Sequence, residues 1–389
     1  MNTFELDKKY VAPTYARFPI EIVGGKGSIA YGADGMEYID MGSGIGVNSF
    51  GFCDSEWIAA VTKQLNAFQH TSNLYYSNPC AKLAGLLCQK TGLKKVFFSN
   101  SGAEANECAI KAARKYGAEK RGSGCHTIIT LKNSFHGRTL TTLAATGQEA
   151  FHEHFLPLTE GFIHCEPNAE ELRDAIEKNN VCAVMFEVIR GEGGVLPLDS
   201  DFVKAMADIA AQKDILLIAD EVQTGNGRTG KLYGYMNYGI QPDIVTTAKG
   251  IGGGLPIGVT MLGEKVEGVF APGLNGSTFG GNPVCCAGAI SILERLDDGF
   301  MANVMKKSEY IFSELEGAKG VESLSGMGLM IGIKAEKPAK QAAAECLEKG
   351  VLVLTAKDKI RLLPALNIPF EELKKAVQVI KEVCARNDI

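Results

Sequence analysis

The sequence predicts an α/β protein with a mostly parallel central sheet sandwiched between layers of helices. Apolar runs of four to six residues recur through the middle of the chain, and stretches with helical spacing separate them. Strands covered on both faces appear as uninterrupted apolar runs, whereas strands with one wet face alternate apolar and polar residues. The pattern therefore favours parallel strands joined by helices. The predicted strands are 96–99, 127–131, 181–186, 215–218 and 243–247.

Helices are expected between these strands and at the end of the chain. Apolar side chains recur every three or four residues from 104 to 116, as on a helix with one buried face. Asp199 or Ser200 caps a second helix, and a third begins after Pro369. Both chain ends also contain strand-like segments. These segments are 27–32 and 37–40, which form a hairpin, and 329–333 and 360–363.

Composition and charge exclude several classes of partner. Hydrophobic residues make up 46% of the chain and charged residues 22%, as in ordinary globular proteins. The net charge of −5 argues against nucleic-acid or anionic-membrane partners, and no apolar run is long enough to span a membrane. Eleven scattered cysteines without a C-x-x-C pair, and a start without signal-peptide features, predict a reducing cytoplasmic location and no metal site.

Asp220 and Lys249 each follow one of two apolar strands that a single crossover separates. Open α/β sheets bind ligands at the carboxyl ends of their parallel strands, so we expect the two side chains to lie together. A glycine run after Lys249 favours a partly desolvated amine with a lowered pKa over an ordinary surface lysine. An amine that bonds to an aldehyde and a carboxylate that keeps a pyridine nitrogen protonated suit pyridoxal phosphate.

The segments around both residues resemble the class III (subgroup II) aminotransferases. Asp220 begins Asp-Glu-Val-Gln-Thr-Gly, Lys249 is the centre of Ala-Lys-Gly, and the likeness extends through most of the chain. The resemblance implies a fold-type I transferase that depends on pyridoxal phosphate and has two domains. The expected domains are 46–284, which binds the cofactor, and a smaller α+β domain of 1–45 with 285–389.

The resemblance also implies how the cofactor ring is bound. Lys249 forms the covalent bond to the cofactor and moves the proton between the substrate and cofactor carbons. Asp220 keeps the ring nitrogen protonated, and Gln223 matches the residue that hydrogen-bonds the phenolic oxygen. Glu221 and Val222, which lie between them in the sequence, are expected to contact the cofactor as well.

Two further segments resemble parts of the family that bind phosphate. Ser101, Gly102 and Ala103 precede a predicted helix, whose free N–H groups attract phosphate, although a simple N-cap presents them too. Their likeness to the family's phosphate cup favours phosphate binding. Thr278 matches a threonine that contacts the phosphate of the partner's cofactor, so the resemblance implies a homodimer with shared active sites. Ser277 beside it is expected to touch the substrate.

The resemblance implies two arginines for substrate carboxylates. Phe135 and Arg138 follow the 127–131 strand and match an aromatic that stacks on the cofactor and an arginine that binds the substrate's α-carboxylate. Glu192 matches a glutamate that pairs with the arginine at Arg361 and neutralises it while the first substrate is bound. The pair opens so that this arginine can bind glutamate or 2-oxoglutarate.

Glu187 and Glu192 both follow the 181–186 strand and are expected in the substrate site. The chain departs from the family here, since Val188 replaces a usual proline and Arg190 a usual glutamine. The extra cation at Arg190 is expected to compete for one of the two glutamates.

The resemblance implies transfer of a distal amino group, and Gly44 narrows the choice of amine. Relatives that act on ornithine carry a tyrosine at this position, whereas a glycine leaves room for an acyl group on the α-nitrogen. The expected reaction moves the distal amine of N2-acetylornithine to 2-oxoglutarate, giving N-acetylglutamate 5-semialdehyde and glutamate in arginine biosynthesis. Succinyl-diaminopimelate, ornithine and 4-aminobutyrate stay open as alternative amines. A nucleotide-binding oxidoreductase is a distant alternative, because the glycine runs lack its spacing.

Overall fold

The central sheet confirms the predicted class. The computed structural model describes residues 1–385 and contains a seven-stranded sheet in which six strands point the same way. One strand, Gly258–Leu262, runs antiparallel to both of its neighbours, and the sequence patterns do not predict it. Across the sheet, the strands are Lys95–Ser99, Gly258–Leu262, Ile244–Thr247, Leu216–Asp220, Val181–Phe186, Thr127–Leu131 and Phe162–Cys165.

Helices cover both faces of this sheet. Helix Gly102–Arg121 packs on one face through its alanines, and helix Ser200–Gln212 packs on the other through residues such as Phe202. Ser101 and Asp199 cap these helices by accepting hydrogen bonds from backbone N–H groups of the first turn. The other α-helices are Thr3–Tyr10, Ser43–Gly46, Ser55–Ala67, Asn78–Thr91, Leu140–Ala145, Ala169–Lys178, Pro283–Arg295, Asp298–Leu315, Ala339–Glu348 and Phe370–Ala385, and the 3-10 turns are Glu149–Phe151, Gly234–Tyr238 and Lys249–Ile251.

The chain ends form two four-stranded sheets. Strand Val351–Leu352 pairs in parallel with Glu37–Asp40 and so joins the end of the chain to its start. Across the sheets, the strands are Ile22–Lys26, Ile29–Gly32, Glu37–Asp40 and Val351–Leu352 in one, and Val321–Met327, Met330–Ala335, Lys359–Leu362 and Leu354–Ala356 in the other. A separate two-stranded ribbon pairs Ile189–Arg190 with Leu196–Pro197.

The division into domains stays a prediction, to which the structure adds one detail. The boundary after residue 284 falls inside helix Pro283–Arg295. This helix packs against helices Ser55–Ala67 and Asn78–Thr91, which belong to the predicted large domain. A boundary placed after residue 295 would therefore keep these packed helices together.

No helix among residues 1–385 is long and apolar enough to cross a bilayer. Within the same residues, no group of three or more His, Cys, Asp or Glu side chains is arranged to hold a metal ion. All eleven cysteines of the chain are free thiols, and most of them are buried.

Replacing either of two glycines within helices by alanine is expected to change the stability of the fold, in opposite directions for the two. A Cβ atom at Gly85 meets nothing within 4 Å, so alanine should stabilise the fold by about 0.5–1 kcal/mol through helix propensity. A Cβ atom at Gly117 in helix Gly102–Arg121 would lie 2.4 Å from the Cys125 carbonyl oxygen and 2.6 Å from Cys182 Cβ. Alanine should therefore destabilise the fold there, by roughly 1–3 kcal/mol. Urea unfolding of both variants beside the parent measures the two effects, and equal stabilities would contradict the packing described.

Candidate active site

A cavity of about 600 Å³ opens at the carboxyl edge of the central sheet. It lies where the neighbouring parallel strands Leu216–Asp220 and Ile244–Thr247 end. Its walls bring together residues that are far apart in the sequence. The sequence-derived candidates that line it are Ser101, Gly102, Ala103, Phe135, Arg138, Glu187, Asp220, Val222, Gln223 and Lys249.

The Asp220 carboxylate is buried and held by three donors. Its Oδ2 accepts hydrogen bonds from Asn106 Nδ2 at 2.7 Å and from His136 Nδ1 at 2.8 Å. Its Oδ1 accepts the Val222 N–H at 3.1 Å. Asn106 is fixed in turn, because the Thr246 hydroxyl donates to its Oδ1 at 2.6 Å. Both carboxylate oxygens are therefore satisfied despite burial, and the direction of the side chain is set.

Asn106 is a site residue that the sequence patterns do not single out. It lies on the apolar face of helix Gly102–Arg121, where it is buried among alanines. A polar side chain on such a face is the signal that points to it, since buried polar groups need specific partners. His136 is the second positioning group, and its proton lies on Nδ1 because the Asp220 carboxylate is the acceptor.

Lys249 is half-buried and lines the cavity just beyond the end of strand Ile244–Thr247. Burial lowers the pKa of its amine below the usual 10.5, and the positive charge of Arg361 acts in the same direction. The carboxylates of Glu192 and Asp220 oppose this shift without cancelling it. A larger fraction of the amine is therefore neutral and nucleophilic near physiological pH.

Arg361 and Glu192 form an ion pair next to Gln223. Arg361 Nη1 donates to Glu192 Oε1 at 2.6 Å and to Gln223 Oε1 at 3.2 Å. Burial disfavours the charged form of Glu192, but the adjacent guanidinium outweighs burial and holds the pKa of the carboxyl below its ordinary value. The Arg361 side chain is 4% exposed and that of Glu192 is 28% exposed. The glutamate is therefore the member of the pair that lies nearer to solvent.

Glu187 supports the loop that carries Phe135. Its Oε1 accepts the Phe135 N–H at 2.8 Å, and its Oε2 accepts the Gly191 N–H at 3.4 Å. Burial raises the pKa of Glu187 to about 7, although the nearby His136 acts in the opposite direction. These contacts give Glu187 a part in holding the aromatic residue, in addition to its place in the cavity wall.

Arg190 is directed away from the ion pair. Its Nη1 donates to the carbonyl oxygen of Lys132 at 3.0 Å. Burial lowers the pKa of its guanidinium, against the charge of Glu187. Within residues 1–385 it has no carboxylate within 4 Å, so the expected competition for Glu187 or Glu192 is corrected.

Arg138 lies at the mouth of the cavity with its guanidinium above aromatic rings. The guanidinium carbon is 4.2 Å from the ring centre of Phe151 and 5.5 Å from that of Phe135. The two rings meet edge to face, with centres 5.8 Å apart. No carboxylate among the described residues lies within 4 Å of this arginine, so it is free to bind an anion.

The start of helix Gly102–Arg121 forms another wall. Ser101 Oγ accepts the Glu104 N–H at 3.2 Å and caps the helix. A Cβ atom at Gly102 would lie 2.7 Å from Val222 Cγ1, so glycine lets the helix start approach the end of the Asp220 strand closely. The first N–H groups of a helix have no partners within it and attract anions, phosphate above all.

These groups together fit pyridoxal phosphate. An amine with a lowered pKa, a positioned carboxylate, an aromatic ring and an anion-attracting helix start surround one cavity. The family described as aminotransferase class-III matches residues 10–384. The chain belongs to this family. Class III aminotransferases depend on pyridoxal phosphate, which confirms the cofactor and the enzyme class that the sequence predicts.

Relatives within the family are similar over nearly the whole chain. The chain is 49% identical over 382 residues to an acetylornithine aminotransferase of Haemophilus ducreyi, which covers 97% of each protein. It superposes on an N-acetylornithine aminotransferase from Stenotrophomonas maltophilia with a TM-score of 0.84, 32% identity and 98% coverage of each chain. It superposes on an ornithine aminotransferase from Toxoplasma gondii with a TM-score of 0.94 and 29% identity, covering 98% of this chain and 94% of that one.

Glu221 does not line the cavity, which corrects the expectation that it contacts the cofactor. Its carboxylate accepts hydrogen bonds from the Thr224 hydroxyl and from the N–H groups of Gly234 and Tyr235, each at 2.7 Å. Burial raises the pKa of Glu221 to about 7 against these hydrogen bonds. Its role is to hold the turn at 234–235.

Gly44 also lies outside this cavity. It lines a neighbouring cavity of about 510 Å³, together with Phe18 and Leu354. The expectation that Gly44 makes room for an acyl group stays a prediction. Tyr15 and Val47 line the Lys249 cavity on this side instead.

Ser277 and Thr278 lie beyond the cavity of their own chain. Ser277 Oγ accepts hydrogen bonds from Asn100 Nδ2 at 3.2 Å and from the Gly280 N–H at 2.9 Å. Thr278 is exposed. The contact of these residues with substrate and with a partner's cofactor stays a prediction.

Proposed function

We propose that this enzyme transfers the distal amino group of N2-acetylornithine to 2-oxoglutarate, giving N-acetylglutamate 5-semialdehyde and glutamate in arginine biosynthesis. The proposal rests on a difference between two arginines in the site: one has a carboxylate partner and the other has none in the described part of the chain. Arg138 is free to bind an anion, whereas Arg361 is neutralised by Glu192. The relatives named as acetylornithine aminotransferases support this choice of amine. We assign the enzyme to the cytoplasm, where its eleven free cysteines would stay reduced.

The first substrate brings one carboxylate and an uncharged acylated nitrogen into the site. A single free guanidinium, that of Arg138, matches this charge, and its planar fork suits a bidentate contact. The closed Glu192–Arg361 pair presents no second unpaired cation to the acylated end. Ornithine would bring an additional ammonium group into a partly buried cavity, where an unpaired charge is unfavourable.

The second substrate carries two carboxylates and therefore needs two cations. Arg138 binds one of them as before. Arg361 binds the other once Glu192 swings toward solvent, which its 28% exposure permits. Gln223 keeps its hydrogen bond to Arg361 and holds the guanidinium in place during the exchange. One cavity thus accepts an acylated diamine and a dicarboxylic acid in turn.

The chemistry follows from the positions of a few side chains. When bound, pyridoxal phosphate supplies an electron sink for the electrons released at the substrate carbon. Lys249 would hold the cofactor at rest and, once the incoming amine displaces it, would take the proton from the carbon that bears the distal amine. Asp220 would keep the ring nitrogen protonated, and Phe135 would pack against the ring. The helix start at 101–103 would bind the phosphate, and Val222 and Gln223 complete the wall of the cavity.

We also propose that the chain forms a homodimer with shared active sites. Asn73 Nδ2 donates to the Ser277 carbonyl at 2.9 Å and so ties the segment of Thr278 to a group of exposed apolar side chains. These side chains are Leu74, Tyr75 and Tyr76, each at least 70% exposed. Large apolar side chains grouped on a surface mark interaction sites. A second copy of the chain would cover them and receive Thr278 near its own phosphate-binding helix start.

The choice of amine is tested by the visible absorbance of the protein loaded with pyridoxal phosphate. N-acetylornithine, ornithine and 4-aminobutyrate are added in turn at equal concentrations. The yellow absorbance should bleach at least about tenfold faster with N-acetylornithine. Ornithine brings an additional ammonium group into the cavity, and 4-aminobutyrate, which has the same charge as N-acetylornithine, is shorter between carboxylate and amine and lacks the acylated nitrogen. If another amine bleaches it faster, the family assignment stands and the proposed substrate is wrong.

Removing the ion pair as a unit should separate the two half-reactions. The double variant Arg361→Gln/Glu192→Gln leaves no unpaired charge, so it should bind N-acetylornithine within about twofold of the parent. Its affinity for 2-oxoglutarate should fall about tenfold to a hundredfold, since a charged hydrogen-bonded contact is lost. Arg138→Gln should weaken both substrates. Single-turnover absorbance measurements give each affinity, and an equal loss for both substrates in the double variant would rule out the switch.

Shared sites predict that two inactive variants restore each other. Lys249→Ala removes the amine of its own site, and Thr278→Asp places a negative charge against the phosphate of the partner's site. A mixed dimer keeps one intact site, so subunits exchanged at random should regain about a quarter of the parent activity. Assays after mixing, dissociation and reassociation measure this recovery. No recovery despite mixed dimers would contradict the sharing, and the same treatment of each variant alone is the control.

A further inference from the structure

The backbone of Lys249 has a conformation that its surroundings must impose. Its φ is +47°, in the left-handed region that residues other than glycine rarely occupy. Such a conformation persists only where neighbouring contacts hold it, and it clusters at functional sites. The groups that hold the carbonyls of Ala248 and Gly250, the residues on either side of Lys249, therefore help to set the direction of its amine.

Asn226 holds the peptide group before Lys249. Its Nδ2 donates to the Ala248 carbonyl oxygen at 3.2 Å and to Thr247 Oγ1 at 2.9 Å. The amide orientation is fixed by chemistry, since a carbonyl oxygen accepts only from the NH2 half of the side chain. Asn226 is buried, and its Oδ1 has no hydrogen-bond partner among the described residues. An amide that leaves its acceptor unpaired contributes through its donor half, which is the half on Ala248.

Ser49 holds the peptide group between Gly250 and Ile251, one residue further along the turn. Its buried hydroxyl donates to the Gly250 carbonyl oxygen at 2.9 Å. The carbonyls on both sides of Lys249 are thus bound by side chains from segments about 180 residues apart in the sequence. The third carbonyl of the 248–250 turn, that of Lys249, is bound by backbone instead, since it accepts the Gly252 N–H at 2.9 Å.

We propose that Asn226, with Ser49 on the opposite side, is a positioning residue for Lys249: the two side chains hold the carbonyls of Ala248 and Gly250, so that the amine points to one place in the cavity. The inference deepens the proposed function, in which Lys249 is the residue that bonds to the cofactor and moves the proton. Lys249 serves both half-reactions, so its misplacement slows both. Substrate affinity is set by Arg138 and Arg361, so it should not change when Lys249 is misplaced.

Asn226→Gly tests this without straining the backbone, because Asn226 itself has a φ of +59° that glycine adopts freely. Asn237→Ala is the matched control, since Asn237 Nδ2 also donates to a threonine hydroxyl, that of Thr229, and to a carbonyl, that of Gly234. Asn226→Gly should lower kcat about tenfold to a hundredfold while both KM values change less than about twofold. Asn237→Ala should leave kcat and both KM values near those of the parent.

The second measurement is the pH titration of the yellow absorbance of the loaded protein, which requires no amine substrate. If the Lys249 nitrogen is held less firmly, it reaches more solvent and keeps its proton more easily. The pH midpoint of the titration should therefore be higher in Asn226→Gly than in the parent, by about half a pH unit or more. An unchanged midpoint overturns the proposal, whatever happens to kcat. If Asn226→Gly does not fold, as judged by thermal unfolding, Ser49→Ala is measured instead and the same outcomes apply.

Failure of the proposed function is distinguishable from failure of this inference. If the parent binds the cofactor but ignores N-acetylornithine, the substrate assignment falls. The positioning role of Asn226 is still decided by the pH midpoints of the yellow absorbance, compared among Asn226→Gly, Asn237→Ala and the parent. The kcat comparison is then made with whichever amine bleaches the parent protein.

Discussion

Burial of charged side chains at one edge of the central sheet is the constraint on which the site depends. A buried charge without partners is unfavourable by several kcal/mol, so each one needs hydrogen bonds or an opposite charge. Asp220 receives three donors, Glu187 two backbone N–H groups, and Arg361 the carboxylate of Glu192. These partners fix the directions of the side chains as well as their charges. The geometry of the site therefore follows from the need to satisfy charges away from water.

Lys249 is the exception to this rule, and the exception explains its reactivity. Its amine has no hydrogen bond or ion pair to the described residues, although the charges of Glu192, Asp220 and Arg361 reach it. Burial without a close partner shifts the amine toward its neutral form. The same low-dielectric surroundings that require partners for the carboxylates thus provide a nucleophile. Its backbone, held at both flanking carbonyls, replaces the hydrogen bonds that would otherwise fix the side chain.

The sequence predicts the parts of this site that regular structure determines. Asp220 and Lys249 end adjacent parallel strands, so strand prediction alone brings them together. The expectation for Glu221 is wrong because successive side chains of an extended segment point to opposite sides, and Asp220 already takes the cavity side. Gly44 lies in a left-handed turn, and local residues do not determine the path of such a loop. Asn226 is flanked by glycines, so its sequence context predicts only a turn. Its hydrogen bond to the Ala248 carbonyl is a tertiary contact that the sequence does not predict.

The position of Arg361 shows why the site needs the whole chain. The segment 364–366 that follows it is held by two buried cations, Arg228 and Lys307, which donate to its carbonyl oxygens at 2.6 and 2.7 Å. Burial lowers the pKa of the first to about 9 and of the second to about 8, so these bonds replace lost hydration only in part. The Ser49 carbonyl accepts an N–H from the same segment at 2.8 Å, while the Ser49 hydroxyl holds the Lys249 turn. The distance between the amine and the second arginine is thus set by contacts among the start, middle and end of the chain. A fragment lacking either end would keep the strands that carry Asp220 and Lys249 but lose the spacing that lets one cavity serve two substrates.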